Sequence, residues 1–311
     1  MGTRIGVTSD IHERKEYLNA LNNYVGSKED TLDALFFSGD HIGPMGTNDP
    51  REGTLDKKLK SIQTTRDNTG LEKLAEIAES RDISIEELAQ NKESLDSETQ
   101  ELVSIVEGEQ EEQQKKTLRA IQETHMDLES IYNEISGFVG TMYSPVGNHD
   151  VVYTNQALGL NEEGTTNGLT VKSVFNTNER PRHYTGLPQQ LLPPYPLGND
   201  IANEEIAKQI PEEAQEAIKK GIEQQGQNAQ DADILLMHKL PGDKYNCPEY
   251  RELSPKIRIG GHVHSPKTEI WKTKNDDGSL SYTIRVGTNE YVEASVTEDG
   301  SPELFDVYTV S

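Results

Sequence analysis

The chain is poor in cysteine: among 311 residues there is one, Cys247. No disulfide can form within the chain, which fits a reducing compartment, and a lone thiol reads as inert rather than catalytic. Long apolar runs are missing too. Nothing approaches the ~18 consecutive apolar residues of a membrane-spanning helix, so no membrane is expected among its partners. The start, Arg4-Ile5-Gly6-Val7-Thr8, reads as a first core strand rather than a targeting segment. Gly6 stands where a myristoylation signal needs Ser or Thr. A soluble, cytoplasmic location is the expectation. Basic residues are scarce, with 30 Lys plus Arg against 54 Asp plus Glu and a net charge of −24. With no basic stripe to follow a phosphate backbone, nucleic acid is disfavoured as a partner. Such acidity also raises the idea of a high-salt cytoplasm, which the excess of Lys over Arg, 19 to 11, weakens. Apolar residues are only 32% of the chain, so much of it must be surface or polar helix. The length allows one large α/β domain with an insertion, or two domains.

What is present is a series of short apolar runs, each ending in polar residues. Ile5 to Ser9 leads into Asp10-Ile11-His12, and Ala34-Leu35-Phe36-Phe37 into Ser38-Gly39-Asp40. Thr141 to Ser144 leads into Gly147-Asn148-His149-Asp150. Ile234-Leu235-Leu236-Met237 ends at His238, and Ile257-Arg258-Ile259 at Gly260-Gly261-His262-Val263-His264. Strand ends are where open α/β sheets place their chemistry. Residues 16–24 have helical spacing. From Asp49 to about Gly137 the pattern changes, with stretches of helical spacing. Leu71, Leu74 and Ile77 share a face, Ser84 and Glu87 make a capping box with Ile83 and Leu88 as its staple, and a stripe runs from Leu118 through His125 and Tyr132 to Ile135. A helical insertion, an α-hairpin or small bundle, is expected there. His125 reads as a packed histidine. Residues 201–223 are expected to be helical with a break at Pro211, and 226–230 a polar linker. The segments near 269–272, 282–286, 291–296 and 304–310 alternate as antiparallel strands.

Five of the eight histidines fall at these strand ends. Imidazole, carboxylate and one amide oxygen, without thiolate, suit Zn, Mn, Fe or Ni rather than a structural thiolate zinc site. Seven candidate ligands are too many for one ion, and a shared carboxylate invites two.

The ordered set Asp10-x-His12, Gly39-Asp40, Gly147-Asn148-His149-Asp150, His238 and Gly261-His262-x-His264 resembles the calcineurin-like metallophosphoesterase family. Each motif is weak alone; five in order after strands are a strong signal. The resemblance covers roughly the first 45 residues and most of 140–290. It implies an α/β fold, a four-layer αββα metallophosphoesterase-like sandwich of two mixed sheets with a helical insertion. The core would be 1–48 and 138–311, and the insertion 49–137 a cap, lid or dimer arm. It implies two divalent transition-metal ions, with Asp10, His12, Asp40 and His264 on the first, and Asp40, Asn148, His238 and His262 on the second. His149 would be general acid or transition-state donor, oriented by Asp150. Two cations ~3.5–4 Å apart clamp a phosphoryl group and turn a bridging water into hydroxide near neutral pH.

The continuation His41-Ile42-Gly43 departs from the serine/threonine phosphatase branch, as does Asp150 in place of Glu. His41, Arg180, Arg182 and His183 are candidate substrate contacts, the arginines because their forks match phosphate oxygens. The expected function is hydrolysis of a phosphomonoester or phosphodiester in a small molecule, a nucleotide among the options. The alternatives are a DNA nuclease of the same superfamily, or a catalytically silent scaffold that binds a partner or a second copy through the insertion.

Overall fold

The structure is a computed structural model. It describes residues 2–43, 51, 53–64, 69–147, 149–151, 153–174, 212–240, 250, 253–264, 267–275, 278–298 and 300–310. Asn148, Cys247, Arg180, Arg182, His183 and the proline-rich stretch 188–196 lie outside the described residues.

The chain divides into two compact units, one drawn from residues 1–50, 124–182 and 189–311, the other chiefly from 51–123. The first holds two sheets. One has the order β11-β10-β1-β2-β3, built from β1 (Thr3–Thr8), β2 (Leu32–Phe37), β3 (Val139–Tyr143), β10 (Glu290–Val296) and β11 (Pro302–Thr309). The other has the order β4-β5-β6-β7-β9-β8, from β4 (Gly164–Thr166), β5 (Leu169–Val174), β6 (Ile234–Met237), β7 (Ile257–Gly260), β8 (Glu269–Lys274) and β9 (Leu280–Arg285). Both are mixed. β1, β2 and β3 run parallel, as do β5, β6, β7 and β9, while β10, β11, β4 and β8 pair antiparallel. The four C-terminal segments form two antiparallel pairs, β8 with β9 and β10 with β11, as expected, and β9 also lies beside β7 in parallel.

Alternation along the strands decides which face goes where. Ile5, Val7, Ala34, Phe36, Val292 and Ala294 from the first sheet meet Leu169, Val171, Ile234, Leu236, Ile257, Ile259 and Ile284 from the second in one buried cluster. Burying each such large aliphatic or aromatic side chain is worth about 1.5–3 kcal/mol. The outer faces carry helices. Helix α1 (Lys15–Gly26) buries Tyr17, Leu18, Leu21 and Val25, and its Tyr24 ring meets Tyr291 and Tyr308. Tyr132 of helix α5 (Ser97–Ser136) packs its ring 5.2 Å from Phe37. Behind the second sheet, Leu235 and Met237 cluster with Ala229 and Ala232, which follow helix α7 (Glu212–Asn228). Helix, sheet, sheet, helix is the four-layer sandwich. The stretch read as a polar linker from Gly226 is instead helical to Asn228.

The second unit is helical: α2 (Leu55–Thr64), α3 (Thr69–Ser80), α4 (Ile85–Gln90), a 3-10 turn (Lys92–Ser94) and the first part of α5. Its core joins Leu74, Leu88, Leu95, Val103 and Val106, with Leu71, Ile77 and Ile83 packed against it. The Ser84/Glu87 capping box is formed from both sides. A short helix, α6 (Thr154–Ala157), follows the β3 loop in the first unit. Among the described residues no helix is long and apolar enough to cross a membrane.

Candidate metal centre

Because β1, β2 and β3 are parallel, their C-terminal ends share one edge, and β6 and β7 do the same in the facing sheet. Every strand-end motif lies beyond one of these ends. The loops are stitched together by backbone. Ile11 and His12 both donate N–H to Asp40 O, at 3.0 and 2.8 Å, and Gly261 N–H donates to His238 O at 3.0 Å. Asp10 joins the two sheets, its carboxylate accepting from the backbone N–H of His262 at 3.0 and 3.2 Å.

Turning the chain this sharply places non-glycine residues in the left-handed region: His12 (φ 48°), Glu13 (59°), Asp40 (52°), His262 (68°) and His264 (47°). That conformation costs an L-residue about 1–2 kcal/mol, and such strain collects at functional sites. Gly39 (φ 92°) takes a position where neither strain nor bulk is tolerated, since a Cβ there would stand 3.0 Å from Gly147 N and His238 Nδ1.

The donors converge. His12, Asp40 and His264 each place a ligand atom within 4.8 Å of the others, and Asp40, His238 and His262 do the same. Asp40 belongs to both groups. Its Oδ2 lies 3.1 Å from His238 Nε2 and 3.7 Å from His12 Nε2. Two imidazole pairs meet nitrogen to nitrogen, His12 Nε2 to His264 Nε2 at 2.8 Å and His238 Nε2 to His262 Nδ1 at 3.1 Å. Asp10 stands to one side, its carboxylate taken up by His262 N–H and the Ser38 hydroxyl and 3.4 Å from His238 Nδ1.

The electrostatics follow from burial and from Asp40. Burial works to raise the Asp40 carboxyl, but the neighbouring His238 and His149 hold it well below the usual range. Burial works to lower His238, but Asp40 beside it raises it to about 9. His12 is pushed well down by burial, and His262 to about 2. Neutral His12 and His262 and an ionised Asp40 are in the protonation states that a cation requires of its ligands, whereas His238, paired with Asp40, would have to give up a proton to bind one. These residues could hold metal ions, and Asp40 is common to both groups.

His149 is tied to the centre by its backbone, N–H to Asp40 Oδ1 at 2.8 Å, and its ring centroid lies 5.2 Å from that of His12. Asp150 is fully buried and accepts from the backbone N–H groups of Gly147 (2.8 Å), His41 (2.8 Å) and Ile42 (3.3 Å). These bonds brace the turn that carries His149. His41 requires a correction. Named above as a candidate substrate contact, it is instead fully buried with both ring nitrogens engaged, Nδ1 with Tyr132 Oη at 2.5 Å and Nε2 with Ser144 Oγ at 2.7 Å.

Several contributors were not visible in the sequence. The Ser38 carbonyl accepts from His238 Nδ1 at 2.8 Å, fixing the tautomer that leaves Nε2 toward Asp40. A backbone acceptor has no side-chain signature. Buried Arg14 donates to the carbonyls of Asp10 (2.5 Å) and Ile11 (3.0 Å) and to Asn289 Oδ1 (2.5 Å). In sequence it is one more charged loop residue.

No family model matches the chain, and no curated protein matches it significantly. Solved structures similar to it include a protein of Thermus thermophilus (12% identity over all of both chains, TM-score 0.44). Another is a Thermotoga maritima protein (10% identity, 99% of each chain, TM-score 0.33). A third is a conserved uncharacterized protein, a predicted phosphoesterase, of Streptococcus pneumoniae (10% identity, 99% of this chain and 98% of that one, TM-score 0.29). At these values none assigns the chain to a family.

Proposed function

We propose that this protein is a metal-dependent phosphoric ester hydrolase acting on a phosphomonoester or phosphodiester of a small molecule. The observation that carries the reading is Asp40, one carboxylate shared by two groups of imidazoles, each pairing a buried histidine with a half-buried one. His12 and His264 with Asp40 would hold one divalent cation, joined by Asp10. His238 and His262 with Asp40 would hold the other, joined by Asn148. Cations held there would supply Lewis-acid charge for a phosphoryl group and would lower the pKa of a water toward neutral.

The chain's own groups do the rest. Asp40 and Asp10 bring negative charge that favours cations over a bare phosphate. His149, beside the His12 ring, is the proton or hydrogen-bond donor to the leaving oxygen, where charge builds as the ester bond breaks. Asp150 holds the turn beneath it. Arg180, Arg182 and His183 are carried as substrate contacts on the chemistry of their side chains.

The test is a metal-supplemented screen. Protein stripped with chelator is reloaded with Mn²⁺, Fe²⁺, Ni²⁺ or Zn²⁺ and assayed on an aryl phosphate monoester and an aryl phosphate diester, with elemental analysis alongside. Two bound cations and hydrolysis of at least one ester are expected. A protein that binds none of these metals and hydrolyses neither ester is not this enzyme.

A further inference from the structure

The geometry points to His41 as a positioning residue that holds the three metal-bearing loops of the first sheet in register, an inference that rests on the metal-centre reading above. His41 has four polar groups, and they are spent on three segments, the β1 loop, helix α5 and the loop after β3. Its backbone N–H donates to Asp150 Oδ1 at 2.8 Å, in the β3 loop that carries His149. Its carbonyl accepts from Glu13 N–H at 2.9 Å, in the β1 loop that carries Asp10 and His12. Nδ1 meets Tyr132 Oη of α5 at 2.5 Å, and Nε2 meets Ser144 Oγ at the end of β3 at 2.7 Å. Covalently, it is the residue after Asp40.

The direction of these bonds is settled by the one proton on Ser144. Its hydroxyl donates to Pro145 O at 2.8 Å, so it accepts from His41 Nε2–H. His41 Nδ1 is then the acceptor, and Tyr132 O–H the donor. The chain runs one way, from Tyr132 through His41 and Ser144 to the Pro145 carbonyl, two residues before Gly147. Every member is buried: Tyr132, His41 and Ser144 each have 0% exposure. A fully satisfied buried network of this kind specifies one arrangement, and losing one member leaves the others unpartnered. What it specifies here is the distance between the turn of Asp40 and the turn of His149. Hydrogen bonds outside the ligand set that orient metal ligands are commonly worth about 10–100-fold in metal affinity.

The test compares wild type with Tyr132→Phe, Ser144→Ala and His41→Phe, on chelator-stripped protein titrated with Mn²⁺ by calorimetry, and with Co²⁺ followed by its visible absorption. Tyr132→Phe keeps the ring packed on Phe37 and removes one oxygen, so it is the variant that folds if His41→Phe does not. We expect about tenfold weaker Mn²⁺ binding in Tyr132→Phe, an altered Co²⁺ spectrum, and a lower kcat with KM within twofold. The double variant Tyr132→Phe/His41→Phe should lose no more than the worse single, because the bonds form one chain. A lower melting temperature in Tyr132→Phe with unchanged Mn²⁺ affinity and Co²⁺ spectrum would overturn the inference and leave the metal centre standing. A wild-type protein that binds no Mn²⁺ or Co²⁺ would defeat the metal centre, and this inference with it.

Discussion

Asp40 Oδ2 and His238 Nε2 lie 3.1 Å apart, both side chains fully buried, one from each sheet of the sandwich. Without a cation they form an ion pair in which His238 is raised to about 9, since Asp40 outweighs the burial that would lower it. A carboxylate placed to hold His238, His12 and the backbone of His149 at once is the hub on which both ligand groups depend.

Asp40→Asn keeps the shape and removes the charge. We expect the variant to retain neither cation through gel filtration and to lose at least about a hundredfold in ester hydrolysis. In wild type, Mn²⁺ at 100 times its Kd should raise stability by about 2.7 kcal/mol per site, read as a higher melting temperature; Asp40→Asn should show no such rise. Wild-type activity in this variant would end the assignment of Asp40 as the shared ligand.

His149→Ala should separate chemistry from metal binding. With its backbone N–H still on Asp40, the variant is expected to hold two cations by elemental analysis while kcat falls about 10²–10⁴-fold. Loss of a cation would instead make His149 a ligand.

Gly147→Ala tests the close approach of the two turns. A Cβ at Gly147 overlaps the backbone nitrogen and Oδ1 of Asp40, so one turn must move. Overpacking of this sort costs about 1–3 kcal/mol, and here the displaced group is the hub. A lower melting temperature and weakened Mn²⁺ binding should appear together. Either one without the other would show that the turns adjust independently.

His125 should set a step in acid stability away from the metals. It is buried beside the Tyr153 ring, with Nε2 3.1 Å from Thr154 Oγ, and burial lowers it to about 4 from 6.5. The unfolded chain therefore takes up a proton near pH 6.5 that the folded chain refuses until about pH 4. Its contribution is complete above pH 6.5 and is lost as pH falls through that window. Denaturant titrations of His125→Leu should show about 2–3 kcal/mol less dependence on pH across that window than wild type. Equal slopes would mean that His125 titrates normally in the folded protein.

Local signals in the chain were enough for the strands that lead into the candidate site and for the capping box of the second unit. Apolar runs of strand length, each ending in Asp, His or Gly, placed β1, β2, β3, β6 and β7 and the polar residues beyond them, because period and turn chemistry are properties of adjacent residues. The capping box at Ser84 and the helical stripe through Tyr132 are local in the same way. What only the tertiary structure decided are matters of partnership between distant residues. β9 pairs with β7 in parallel, which no alternation pattern encodes. His41 reads as a polar residue beside the candidate ligand Asp40, yet it faces inward, where Tyr132 and Ser144 engage both of its ring nitrogens. Asp150 spends its carboxylate on backbone N–H groups from its own turn and from the turn of Asp40. A side chain's type states which bonds it can make; which bonds it does make depends on what the folded chain leaves within about 3 Å of it.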